Sequence, residues 1–268
     1  AQLVKETDAI IKIVRACVCG SDLWWFRGIS ERQPGPVGHE AIGLIEEVGT
    51  GVKNFKVGYF VIVPFTHGCG HCPICLAGFE ANCPNAKDGV NGGYQGEFYR
   101  AINTDGALVK IPGQPSDYSD DQLASLTALA DVMPTGFHAA KAADVHEGDT
   151  VVVFGDGAVG LCAVISAKLL GAKRIIAMSR HEDRAALARD FGATDIIAER
   201  GEEAIQKIMS LTNGYGADAA LECVGTKQAI ESAFQAVRAG GRVGRVGVPH
   251  DVDYNEWIDS LFWKNIQL

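Results

Sequence analysis

No stretch of the 268-residue sequence approaches the roughly 18 consecutive apolar residues that suggest a membrane span. A basic run is also missing: 24 Lys and Arg stand against 33 Asp and Glu, a formal charge of 24 − 33 = −9. An acidic chain of this kind is a poor partner for nucleic acid or an anionic membrane, and neither is expected. Internal repeats and low-complexity linkers are absent as well. The first residues carry no signal-like pattern, and cysteine usage points to a reducing cytosol, so that a cytoplasmic protein is expected. Both ends look cut, since the sequence starts at Ala1 without Met and stops in the apolar segment "FWKNIQL". Two domains fit this length, with cores large enough to need no disulfide staples. The eight cysteines therefore read as metal ligands, buried small side chains or thiolates in a reducing compartment.

The first half contains short β-like runs between glycine-containing turns. These are "AIIKIVRACV" (9–18), "AIGLIEEVGTGV" (41–52), "YFVIVPF" (59–65) and "ALVKIP" (107–112). They predict a β-rich, barrel-like domain. From Ser119, "SDDQLASLTALADVMPTGFHAAKAA" has helical spacing with acidic residues at its start. From Thr150, apolar strands alternate with helical segments, which predicts a parallel sheet covered on both faces.

Two patterns carry chemistry. "GDGAVG" supplies Gly155, Gly157 and Gly160 of a G-x-G-x-x-G motif, with Ala158 and Val159 between the last two. It follows an apolar strand and opens a helix, the context of a dinucleotide-binding turn. The helix start offers free N–H groups to a pyrophosphate. At the end of the next strand, where NAD-binding chains place an acid, stands "MSRHEDR". Ser179 and Arg180, with Arg184 and His181 nearby, suit a 2′-phosphate, so NADP(H) is expected over NAD(H). The competing reading is a solvated helix start with Glu182 or Asp183 as the ribose acid.

The second pattern is "CGHCPICLAGFEANC", C-x2-C-x2-C-x7-C over Cys69, Cys72, Cys75 and Cys83. Four thiolates can close a tetrahedral shell around zinc, leaving no open position for substrate. An iron–sulfur cluster and a disulfide pair are the alternatives. The spacing differs from cluster motifs, and a reducing setting disfavours disulfides. His67 and His71 are competing ligands. A more dispersed set comprises Cys19 in "CVCGSD", His39 and Glu40 in "VGHEAIG", and Asp131 in "LADVMPTGF". Spacing alone does not define it: a His in a Gly-flanked turn is often structural, and Asp131 serves equally as a cap. Cys17 reads as a buried strand residue, and Cys162 and Cys223 as packing.

Taken together, the sequence resembles the zinc-dependent medium-chain alcohol dehydrogenases over nearly its whole length. "GHEAIGLIEEVGTGV" (38–52) matches the family signature G-H-E-x2-G-x5-G-x2-V, and the four-cysteine lobe and "GDGAVG" follow in family order. The resemblance implies a GroES-like β-barrel catalytic domain (1–132, zinc lobe 69–83). A doubly wound Rossmann domain (133–268) would follow, with a C-terminal return to the catalytic domain missing. It implies two zinc ions per chain. Cys19, His39 and Asp131 would hold the catalytic one, with Glu40 a fourth or exchangeable ligand. Ser21 would take the alcohol proton. Trp24, which stands where many relatives have a relaying His, and Phe65 would line the substrate pocket. The bland alternative places Trp24, Trp25 and Phe26 in the core. Thr135, Val224, Gly225, Gly247 and Val248 would surround the nicotinamide half. Tyr59 departs from a family Asp. The implied reaction is reversible oxidation of an alcohol to an aldehyde or ketone with NADP(+), in a homodimer or homotetramer built through the last Rossmann strand. A zinc-free quinone or enoyl reductase of the same fold, or a non-catalytic dinucleotide-binding zinc protein, is the alternative.

Overall fold

The computed structural model describes residues 1–28, 31, 35–86 and 92–249. The "NIQL" strand expected to support oligomerisation lies outside them. The chain divides into two compact units, Ala1–Asp131 and Val132–Leu268.

In the first unit, β1 (Ala9–Ala16), β2 (Ala41–Val48), β3 (Phe60–Val63), β4 (Phe98–Ala101) and β5 (Val109–Lys110) form one sheet in the order β4-β1-β2-β3-β5. All its pairings are antiparallel. Register shifts at Ile10/Ile11 and Ile13/Arg15 of β1 are the kind of irregularity that bends a sheet. Ala9, Ile11, Ala41, Ile45, Val61, Val63 and Tyr94 share one buried cluster. A second forms on Ile42, Phe60 and Ile62 with Leu123 of α2 (Asp120–Thr127). Ser119 caps α2 by accepting from the Gln122 N–H, while Gln122 Oε1 accepts from the Ser119 N–H. A one-turn helix, α1 (Pro73–Leu76), lies in the cysteine lobe.

The helical stretch expected after Ser119 is not continuous. It becomes α2, a 3-10 turn (Ala128–Ala130) and α3 (Val132–Ala142), broken at Asp131 with φ −149° and ψ −69°. β4 has no counterpart among the expected strands. Its four residues, "FYRA", are too few to show a period.

The second unit is a parallel sheet of β6 (Thr150–Phe154), β7 (Arg174–Met178), β8 (Asp195–Ile197), β9 (Ala217–Glu222) and β10 (Val237–Arg245), in the order β10-β9-β6-β7-β8. Its helices are α3, α4 (Ala158–Leu169), α5 (Glu182–Phe191), α6 (Gly201–Leu211) and α7 (Lys227–Ala236). Successive strand side chains point to opposite faces, and the two cores follow that alternation. Val151, Val153, Ile175, Ala177, Ala219 and Leu221 pack with residues of α3, α4 and α5. Val152, Phe154, Ile176, Met178 and Ala220 pack with α6 and α7. The sheet is thus covered on both faces, which explains why its strands read as nearly continuous apolar runs.

Candidate metal centres and cofactor site

Pairing of β1 with β2 aligns Ala16 with Ala41 and continues one step as Cys17 N–H donating to the Glu40 carbonyl at 3.2 Å. Residues 17–19 and 39–40 therefore leave the sheet side by side. A 3-10 turn, Gly20–Leu23, follows Cys19. Asp22 in that turn is buried. One of its oxygens accepts from the Cys19 N–H at 3.0 Å and the other meets His39 Nδ1 at 3.0 Å. With Nδ1–H donated to Asp22, His39 Nε2 is left to face Asp131 Oδ2 at 3.2 Å. Cys19 Sγ lies 3.8 Å from the same oxygen. One ligand atom from each of Cys19, His39 and Asp131 falls within 4.8 Å of the others.

A thiolate, a carboxylate and an imidazole lone pair this close repel one another unless a proton or a cation lies between them. Burial works against a charged His39. The hydrogen bonds with Asp131 and Cys19 and the nearby negative charges outweigh it, pushing the pKa up to about 11. Sulfur, nitrogen and oxygen donors converging on one point, with the imidazole steered by a carboxylate from behind, fit zinc.

Glu40 stands apart from this cluster. Its Oε2 accepts from Cys17 Sγ at 2.9 Å, and its Oε1 is buried without a hydrogen-bond partner. Burial raises its pKa, as it does that of Cys17, whose bond to Glu40 adds to the rise. Cys17 lies one residue beyond β1 and is half-buried. It is therefore a partner of Glu40 rather than a buried strand residue. Ser21 is the second residue of the 3-10 turn, and Trp24 caps the turn's C-terminal end. The Phe65 ring meets His39 edge-on at 5.7 Å. Trp24 and Trp25 are half-buried and Phe26 is 86% exposed, so the aromatic run is not core. Tyr59 presents its ring face to Lys110 Nζ at 3.8 Å and Lys56 Nζ at 5.3 Å, offering cations a π-face where an Asp would offer a charge.

In the lobe, Cys69, Cys72, Cys75 and Cys83 converge. The Cys72–Cys75 and Cys72–Cys83 sulfurs are 3.5 and 3.8 Å apart. A tetrahedron with metal–sulfur bonds of about 2.3 Å has edges of about 3.8 Å, whereas a disulfide bond is about 2.05 Å. None of the four cysteines is in a disulfide. Pro73 opens α1, and the Cys75 N–H points at Cys72 Sγ. The Asn85 amide donates to Cys69 Sγ at 3.5 Å and, with nearby N–H groups, draws its pKa down to about 5. Neither histidine joins the shell: His67 Nδ1 lies 3.0 Å from the Asn103 amide nitrogen, and exposed His71 bonds the Cys69 carbonyl.

In the second unit, Gly155 has φ +116°, and a Cβ on Gly160 would fall on the Gly155 carbonyl. A Cβ on Gly157 would instead point into open space at the N-terminus of α4. A pyrophosphate cradle needs that arrangement, a tight turn beside uncrowded N–H groups. Ala158 and Val159 form the first turn of α4, and Thr135 lies in α3. Glu222 gathers the remaining segments. Its Oε1 accepts from the N–H groups of Val224 and Gly225, both at 2.7 Å, and its carbonyl accepts from those of Val246 and Gly247. Val248 follows directly, close to Gly225.

A pocket of about 280 Å³ opens at the C-terminal ends of these strands, lined by Phe154, Asp156, Arg180, Arg200, Val224 and Thr226 among others. Two of the expected phosphate ligands are occupied. The buried Ser179 hydroxyl donates to Asp156 Oδ2 at 2.8 Å, and Arg184 donates to Asp156 Oδ1 at 2.9 Å. Glu182 instead accepts from Arg189. Asp22, Asp156, Arg200 and Glu222 escape the sequence pattern. Only Asp22, three residues after Cys19 in a capping position, leaves a local trace.

Residues 5–113 match the alcohol dehydrogenase GroES-like domain, and residues 158–266 match the zinc-binding dehydrogenase domain. The chain is 35% identical over 250 residues to the NADP-dependent isopropanol dehydrogenase of Clostridium beijerinckii, covering 89% of this chain and 68% of the relative. It is 37% identical over 275 residues to zinc-type alcohol dehydrogenase B of Aspergillus flavus, covering 97% of this chain and 62% of the relative. An alcohol dehydrogenase from Thermus sp. ATN1 superposes with a TM-score of 0.84 at 31% identity, over 95% of this chain and 74% of that one. The chain belongs to the zinc-binding medium-chain alcohol dehydrogenase family. It spans 62% of the length of each of the first two curated relatives it matches.

Proposed function

We propose that the protein is an NADP(H)-linked, zinc-dependent alcohol dehydrogenase acting on a small alcohol or carbonyl compound. The observation that carries this is the convergence of Cys19, His39 and Asp131 with Asp22 behind the imidazole. A zinc-free reductase on the same fold has no use for such a set. Zinc held there by Cys19, His39 and Asp131 would supply Lewis acidity at a substrate oxygen, and a nicotinamide cofactor on the glycine turn would supply the hydride acceptor. The chain's own contributions are positional. Asp22 fixes the ring of His39, Ser21 offers a hydroxyl from the turn that follows Cys19, and Phe65 packs against His39. Trp24 has no basic nitrogen to relay a proton, so a proton taken by Ser21 leaves by another route. Glu40 is held by Cys17 outside the ligand set, yet its carboxylate lies close enough to interact with His39 and Asp131, which supports a part in ligand exchange.

The four-cysteine lobe supports a second, structural zinc, because a completed shell fixes its loop and leaves no vacancy. Cysteines kept for metal at both sites suit a reducing, cytoplasmic setting, and no helix among the described residues is long and apolar enough to cross a membrane. A homodimer or homotetramer belongs to the same reading. The test is an alcohol panel with NADP(+) and NAD(+) as acceptors. NADP(+) reduction that disappears in His39→Ala, with the fold intact, is the expected result. Turnover that survives His39→Ala, or none with any alcohol in the zinc-loaded protein, would sink the proposal.

A further inference from the structure

We propose that Arg200, in the loop after β8, is the second guanidinium of the 2′-phosphate site and shares that phosphate with Arg180. This deepens the NADP(H) reading and rests on it. The geometry begins with Asp156, the variable residue after the first glycine of the fingerprint. Its two oxygens hold the Ser179 hydroxyl and the Arg184 guanidinium, so these groups neutralise an acid instead of facing the pocket. Of the residues around "MSRHEDR", Arg180 lines the pocket, and Arg200 lines it from the loop across. Among the described residues no ion pair engages Arg180. Arg200 lends its Nη1 to the carbonyls of its own loop, Ala198 at 3.2 Å and Glu199 at 2.8 Å. That contact leaves other N–H groups of the fork to a ligand.

Two guanidinium groups in one pocket repel each other. Burial and the neighbouring Arg180 work against the charge of Arg200, and outweigh the support it draws from Asp156 and Glu199. Asp156 is shared with Arg184 and Ser179, and an anion between the two arginines relieves the repulsion that remains. A phosphate monoester carries about two negative charges near neutral pH, which two arginines balance. The Asp156 carboxylate would repel a 2′-phosphate if it were unpaired, and Arg184 and Ser179 remove that objection. The N-terminus of α6 begins at Gly201, also on the pocket wall, and adds free N–H groups.

The test is titration of the zinc-loaded protein with NADPH and with NADH, followed by nucleotide fluorescence. Wild type, Arg180→Ala, Arg200→Ala and Arg200→Lys are compared. A charge-assisted contact to phosphate corresponds to roughly a tenfold change in affinity. Arg200→Ala should weaken NADPH by about tenfold and leave NADH within about twofold, with Arg200→Lys recovering part of the loss. NADH affinity serves as the fold control. Equal losses for both nucleotides would make Arg200 a loop brace and overturn the proposal. An NADPH preference in wild type that Arg180→Ala abolishes and Arg200→Ala leaves untouched would overturn Arg200 alone. Tighter binding of NADH than NADPH by wild type would overturn the NADP(H) reading, and Arg200 with it.

Discussion

Asp22→Ala removes a side chain that is 6% exposed and makes two contacts at the proposed catalytic centre. The first is the 3.0 Å contact to His39 Nδ1. Loss of a carboxylate behind a ligating imidazole typically weakens metal binding about 10- to 100-fold, or about 1.4–2.7 kcal/mol. A hydrogen bond involving a charged group is worth about 1.5–3 kcal/mol, so two independent routes reach the same range. The second contact is the Cys19 N–H, whose loss lets the turn carrying Cys19 relax. Asp22→Asn keeps an acceptor and should lose less. Competition against a chromophoric chelator reads the weaker of two zinc sites directly. Asp22→Ala should shift that site about 10- to 100-fold and leave the other unchanged. If Asp22→Ala holds zinc as tightly as wild type while His39→Ala does not, Asp22 has no steering role.

Other expectations follow from single contacts. Cys75→Ser should remove the lobe zinc and lower the unfolding temperature before it affects the other metal, as metal analysis and calorimetry would show; an unchanged zinc content contradicts it. Gly160→Ala drives a Cβ into the Gly155 carbonyl. Cofactor affinity should then fall by more than about tenfold, the scale expected for a displaced phosphate cradle; unchanged binding would mean the turn relaxes freely. Asp218 accepts from the Thr150 N–H at 2.8 Å and Arg238 Nε at 2.7 Å. Burial opposes its charge, yet these bonds win and hold its pKa below the usual carboxylate value. A depressed folded pKa gives stability that is full above the unfolded value of about 3.9 and is lost as pH falls through the folded one. Stability of wild type relative to Asp218→Asn should therefore fall below about pH 4; parallel acid limbs would deny the contribution.

What the sequence made legible is what lies close together along it. The lobe cysteines occupy a span of 15 consecutive positions, 69–83, and the glycine turn sits between a strand and a helix whose periods are plain. The Cys19–His39–Asp131 cluster is different. Cys19 meets His39 only through the pairing of β1 with β2, and Asp131 joins from 112 residues away at a break inside a helical pattern. Resemblance to a family, not spacing, pointed there. Asp156 stayed hidden because its partners stand 23 and 28 residues on, so Ser179 and Arg184 looked available when they are engaged. Arg200 sits in a loop with no period. Glu222 is an acid at a strand end whose purpose shows only once the backbone of residues 224–225 folds back over it.

The central claim is that Cys19, His39 and Asp131 form a metal centre separate from the cysteine lobe. Zinc stoichiometry of wild type against Cys19→Ser/His39→Ala, measured by elemental analysis of folded protein, tests it most directly. The account predicts two zinc ions per chain falling to one, with the lobe still loaded. An identical zinc content in both proteins would contradict it.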